Sequence, residues 1–188
     1  MQTKLISALL LAGAATASQV AFAADGTITF SGNVTAQTCT INGNGNGSGS
    51  KNFTVTLPTV SASSLATAGA TAGATPFNIA LTACTPTTGT NAVKAVHAYF
   101  EAGPTIDTTT GNLILASGGA TNVEIQLLNA ADQSAVKLGQ ADASQNSKPV
   151  NVSTGGAATL QFYAQYYATG AATAGAANSS VMYTIAYQ

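Results

Sequence analysis

The chain has 188 residues, of which 46% are hydrophobic and only 6% charged; it carries two cysteines, one histidine and a net charge of −1. That charged fraction lies far below the roughly 25% of ordinary soluble domains, and without a basic face the chain is excluded as a nucleic-acid binder. So few charges suit a surface that lives packed against copies of itself, although abundant Thr, Ser and Asn would also keep a lone domain in solution.

The first residues read as an address. Lys4 supplies a short positive start, Leu5 to Ala17 is apolar or small almost throughout, and Ala21-Phe22-Ala23 is a small-x-small cleavage site. Residues 1–23 are therefore expected to be a signal peptide, removed so that the mature chain begins at Ala24. The apolar run is too short and too rich in alanine to span a bilayer well. The mature chain has the size of one domain with a good core. In the oxidising compartment that export implies, Cys39 and Cys84 most simply form one disulfide. The loop it closes, about 45 residues, is worth on the order of 4 kcal/mol in the chain-entropy picture.

From Gly26 to Val34 the residues alternate cleanly. Gly26, Ile28, Phe30, Gly32 and Val34 point one way and Thr27, Thr29, Ser31 and Asn33 the other. At Cys39 and Ile41 the apolar phase has moved to odd numbers, so a bend, bulge or change of sheet lies between Val34 and Cys39. Asn42 to Ser50 (NGNGNGSGS) reads as a flexible surface loop. Phe53, Val55 and Leu57 predict a short strand stopped by Pro58, and Ser61 to Thr75 a loop with at most a helical turn around Leu65. Strands are predicted at Phe77–Leu81, Val96–Phe100 and Val123–Leu127, with shorter pieces at Val136–Leu138 and Val150–Val152. Leu160, Phe162, Ala164 and Tyr166 then alternate against Gln161, Tyr163, Gln165 and Tyr167. Val181, Tyr183, Ile185 and Tyr187 share one face of a last strand. Many short strands with turn signals at about 8–12-residue spacing predict an all-β sandwich.

No catalytic or metal constellation emerges. His97 has no Cys, Glu or second His at ligand spacing and is read as a strand histidine at a half-exposed position. There is no G-x-S-x-G turn, and the six carboxylates are scattered singly. The glycine-rich loop lacks the lysine and helix start of a phosphate cradle. The chain is therefore expected to be neither an enzyme nor a cofactor carrier. The four Asn-x-Ser/Thr matches (Asn33, Asn52, Asn151, Asn178) are taken as products of composition.

The two ends are more distinctive. G-T-I-T-F-S-G precedes Cys39, T-N-V-E-I-Q-L-L-N runs from Thr121 to Asn129, and Tyr166 to Gln188 closes with a penultimate aromatic, Tyr187, and a glycine fourteenth from the end, Gly175. On these motifs the chain resembles the major pilins of chaperone–usher fimbriae, of the type 1 kind. The resemblance implies an incomplete immunoglobulin-like sandwich that lacks its last strand and is completed in trans by donor-strand exchange, a mode of strand addition already known from chaperone–pilin complexes. Residues 24–35 would be the donor extension, with Gly26, Ile28, Phe30 and Gly32 on its inserting face, and residues 36–188 the pilin domain. Ile28 and Phe30 would each contribute roughly 1.5–3 kcal/mol when buried in a neighbour. Gly175, Val181, Tyr183, Ile185 and Tyr187 would belong to the C-terminal strand region that first receives a periplasmic chaperone. At an outer-membrane usher, the next copy of the chain would replace that chaperone. Only Ala24 and Asp25 precede Gly26, so the outermost donor pocket receives Ala24 or nothing.

These expectations describe a homopolymeric, cell-surface structural subunit of a pilus shaft that supports adhesion, exported through the periplasm and serving a receptor the residues do not name. Two alternatives stay open: a minor or adaptor subunit of the same machinery, and a monomeric exported binding domain with a complete sandwich.

Overall fold

A computed structural model describes residues 29, 34, 36–43, 50–90 and 92–188. The chain divides after Val34 into two compact units. In the first, Thr29 and Val34 are described, and both are exposed. Residues 1–23, expected to be a signal peptide, Gly26, Ile28, Phe30 and Gly32, expected on a donor face, and Ala24 lie outside the described residues.

The second unit holds nine strands among the described residues, paired antiparallel in two sheets. The larger sheet runs in the order β1 (Thr38–Gly43), β2 (Thr71–Thr85), β8 (Ala158–Ala168), β6 (Val123–Asn129), β5 (Asn112–Ile114), β4 (Ile106–Asp107). The smaller has β7 (Val150–Asn151), β3 (Ala95–Phe100) and β9 (Tyr183–Tyr187). β8 shows why the sheets stack. Its even-numbered residues, from Ala158 to Ala168, are all buried, whereas the odd-numbered ones between them are exposed or half-buried. Period-two patterning of this kind puts one face on a core and the other toward water. The inward faces meet through aromatic rings: Phe162 stacks on Phe77 at 5.5 Å and receives the edge of Phe100, from the opposite sheet, at 5.6 Å.

Cys39 and Cys84 are joined by a disulfide, with Cα atoms 4.0 Å apart. The β1–β2 register jumps here from Thr38↔Thr85 to Thr40↔Thr82, a bulge on the β2 side. Ala83 absorbs the extra residue at φ 51°, in the left-handed region. In β1, Cys39 and Ile41 are half-buried between exposed Thr38 and Thr40; the run from Gly26 to Val34 whose phase was compared with theirs lies almost wholly outside the described residues.

Several elements differ from expectation. Phe53–Leu57 is alternately half-buried, as the predicted strand would be, yet it joins neither sheet. The turn around Leu65 is a 3-10 turn at Ala62–Leu65, capped by Ser61, but β2 already begins at Thr71 inside the predicted loop. Val136 and Leu138 are wholly buried without forming a strand; only Ala135 bridges to Leu128. The two- and three-residue strands β4 and β5 were too short to leave a periodic signal. His97 is buried rather than half-exposed, because the turn Asp142–Ser144 reaches its ring and places Asp142 Oδ1 2.8 Å from Nε2.

Candidate functional site: a groove beside the C-terminal strand

β9 lies at the edge of its sheet. Gln188 and Ala95 exchange both backbone bonds, 2.8 Å from Gln188 N and 3.1 Å from Ala95 N. In an antiparallel ladder such pairs alternate with non-bonded ones. Ala186, opposite His97, and Thr184, opposite Tyr99, therefore turn their N–H and C=O groups to β3. Tyr183, Ile185 and Tyr187 turn theirs outward, where no other described strand pairs with them. The side chains of those three residues point to the core, as their shared parity predicts, with Ile185 buried and the two tyrosines half-buried. Val181, on the same parity, packs half-buried against the core just before β9.

Facing this edge is the outer side of β1 and its continuation. Gly43 N–H bonds Ser50 C=O at 2.8 Å rather than a β2 residue, so the odd-numbered groups of β1 look away from β2. Beyond Lys51 side-chain burial alternates along the chain as far as Pro58. Phe53, Val55, Leu57 and Val60 lay half-buried side chains against the core while Thr54, Thr56, Pro58 and Thr59 are exposed. Among the described residues, two walls therefore carry backbone without a sheet partner, and the apolar residues between them are only half covered. Unpaired edges of this kind are templates for strand addition.

Two tyrosine hydroxyls cross between the walls. Tyr187 Oη accepts the Cys39 N–H at 3.2 Å, and Tyr183 Oη donates to the Lys51 carbonyl at 2.9 Å. The Tyr183 ring also meets Phe53, centroid to centroid at 6.3 Å, and Phe53 continues to Phe77 at 6.2 Å. Burial pushes the Tyr183 phenol upward from its usual value, favouring the neutral form that donates.

A cavity of about 360 Å³ is lined by Val60, Leu65, Val123 and Tyr166 and by the stretch Ala172 to Ala177. That stretch is pinned to the chain ahead of β6: Ala176 C=O accepts from Ala120 N and Asn178 C=O from Ala116 N, each at 2.8 Å. Gly175 sits where these backbones touch, and a Cβ on it would stand 2.5 Å from Ala120 N. The structure thus brings Val181, Tyr183, Ile185 and Tyr187 onto one wall and puts Gly175 beside the cavity. Sequence reasoning missed the opposite wall. Its signal was the alternation Phe53, Val55, Leu57, read as a short strand stopped by Pro58.

Among the described residues no three His, Cys, Asp or Glu side chains gather as a metal site. Buried Asn112 and Glu124 satisfy each other, Asn112 Nδ2 donating to Glu124 Oε2 at 3.0 Å. Chemically, the groove offers strand pairing and apolar pockets.

A family model described as type-1 fimbrial protein, A (FimA), matches residues 57–188. The F17 fimbrial protein of Escherichia coli is 52% identical over 93% of this chain and 94% of its own length. The major fimbrial subunit SMF-1 of Stenotrophomonas maltophilia is 50% identical over 92% of this chain and 98% of its own. In a solved chaperone–usher pilus, one chain shares the fold at a TM-score of 0.60 and 23% identity, over 88% of this chain and 96% of that one.

Proposed function

We propose that this chain, which belongs to the type-1 fimbrial protein family and is a structural subunit that polymerises into a cell-surface fimbria, is the repeated shaft subunit and links its copies by donor-strand exchange. Residues 24–35 of one copy lie in the groove of the next, with Gly26, Ile28, Phe30 and Gly32 on the inserted face. Val34, 99% exposed and on the same parity, offers a further apolar side chain for a pocket in that groove. Before assembly a periplasmic chaperone fills the same groove beside Val181 to Tyr187, and an outer-membrane usher exchanges it for the next copy. Residues 1–23 direct the export and are removed.

One observation carries this reading: among the described residues the outward backbone edge of Tyr183, Ile185 and Tyr187 has no strand partner, and Tyr183 meets Lys51 and Phe53 at the start of a stretch, Phe53 to Val60, that belongs to neither sheet. A strand laid between them would pair both edges and cover the half-buried apolar side chains, each fully buried residue contributing roughly 1.5–3 kcal/mol. The half identity to a major fimbrial subunit supports the shaft role.

The test compares residues 24–188 as they stand with a variant in which residues 24–35 are moved behind Gln188 on a short flexible linker. The first form should self-associate or unfold readily, and the second should be a monomer with a markedly higher Tm, because the strand now binds in cis. Two equally stable monomers would overturn the proposal.

A further inference from the structure

We infer that the hydroxyls of Tyr183 and Tyr187 are place-holders: in the empty groove they occupy backbone groups of the opposite wall that an incoming donor strand must take over. The inference rests on the donor-strand reading and adds to it a control on how readily the groove is entered.

Both hydroxyls come from the strand that forms one wall, and both end on the backbone of the other, Cys39 N–H and Lys51 C=O. Those two partners are main-chain edge groups, the kind a neighbouring strand uses in a ladder. Tyr187 caps a donor and Tyr183 caps an acceptor, which a phenol can do because it carries both functions. The bonds therefore span the slot that a strand would fill, and they satisfy edge groups that would otherwise need water.

Insertion then exchanges one hydrogen bond for another at each site. The hydroxyl bond exists only in the empty state, so it stabilises that state alone and opposes entry. Removing the hydroxyl raises the empty state in free energy and leaves the filled state unchanged. A hydroxyl whose bond persists under the donor strand would have no such effect, and its loss would leave entry unchanged or slow it.

The experiment measures binding of a synthetic peptide of residues 24–35 by fluorescence anisotropy to residues 24–188, freshly refolded and held at a dilution below that at which the chain self-associates. It uses wild type, Tyr183→Phe, Tyr187→Phe and the double variant. Thr184→Val serves as the control, since the Thr184 hydroxyl bonds Glu101 at 2.6 Å on the far face of β9. Each tyrosine variant should raise the association rate and the affinity about 2- to 10-fold, the size of one net hydrogen bond, with the dissociation rate unchanged. The control should match wild type. An association rate that is unchanged or slower in both tyrosine variants overturns the inference alone. A peptide that binds no form at all removes the donor-strand reading and this inference together. Should a variant not fold, wild type with 13Cζ-labelled tyrosine decides: both phenol resonances must move as peptide is added, and resonances that stay fixed overturn the place-holder role.

Discussion

Gly175 and Ala120 are in backbone contact: a Cβ at 175 would lie 2.5 Å from the Ala120 nitrogen and 2.8 Å from its Cα. No flexible side chain is available to yield, and the neighbouring bond from Ala120 N to Ala176 C=O holds the two segments together. Gly175→Ala should therefore cost about 1–3 kcal/mol or more, as overpacking does. In a domain of this size that lowers Tm by about 2–4 °C per kcal/mol. Gly103→Ala is the control, because a Cβ there meets nothing within 4 Å. Thermal unfolding of the pair checks it: equal melting points would show that the crossing at Gly175 can shift at little cost.

Gln145 closes the end of β3 as a strand would. Its Oε1 accepts from Phe100 N at 3.0 Å and its Nε2 donates to Phe100 C=O at 2.6 Å, with no exposure to solvent. Gln145→Ala strands both backbone groups, so a loss of about 3 kcal/mol is expected. Urea denaturation should show a lower midpoint with an unchanged slope. A loss under about 1 kcal/mol would mean that water replaces the amide.

The disulfide between Cys39 and Cys84 ties edge strand β1, one wall of the groove, to β2. Replacing both cysteines with alanine should cost about 2–5 kcal/mol and weaken donor-peptide binding as β1 loosens. Denaturation of the oxidised and double-alanine forms measures the first effect, and peptide titration the second. Unchanged peptide affinity would place the groove's integrity elsewhere than in β1.

Val34 is almost fully exposed. Val34→Asp should leave the subunit's own stability within about 0.5 kcal/mol, as for most surface changes. It should nevertheless cut fibre assembly sharply, because a carboxylate in an apolar groove is costly to bury. Electron microscopy and sedimentation would read the assembly. Normal fibres from this variant would exclude Val34 from the subunit junction.

Much of the fold was legible where strands are long and one-sided. The alternation Leu160, Phe162, Ala164, Tyr166 predicted β8, and the parity of Val181, Tyr183, Ile185 and Tyr187 correctly placed them on one face, although β9 itself starts only at Tyr183. Burial repeats every second residue in a half-buried strand, so those runs declare themselves. Val136 and Leu138 gave the same signal without a strand, since burial under a loop leaves the same apolar pair. Gln145, Asp142 and Lys51 could not be singled out, because their partners Phe100, His97 and Tyr183 lie 45 to 132 positions away.

Sequence alone therefore determined the class of fold, the disulfide and the inward face of the last strand, all consequences of local periodicity and compartment. It also marked Gly175, though only by resemblance. Tertiary structure decided the rest: which strand lies at an edge, which extended segment goes unpaired, and why position 175 admits no side chain. Those properties depend on what stands across a gap from a residue, and alternation along one strand says which way a side chain points without saying what meets it there.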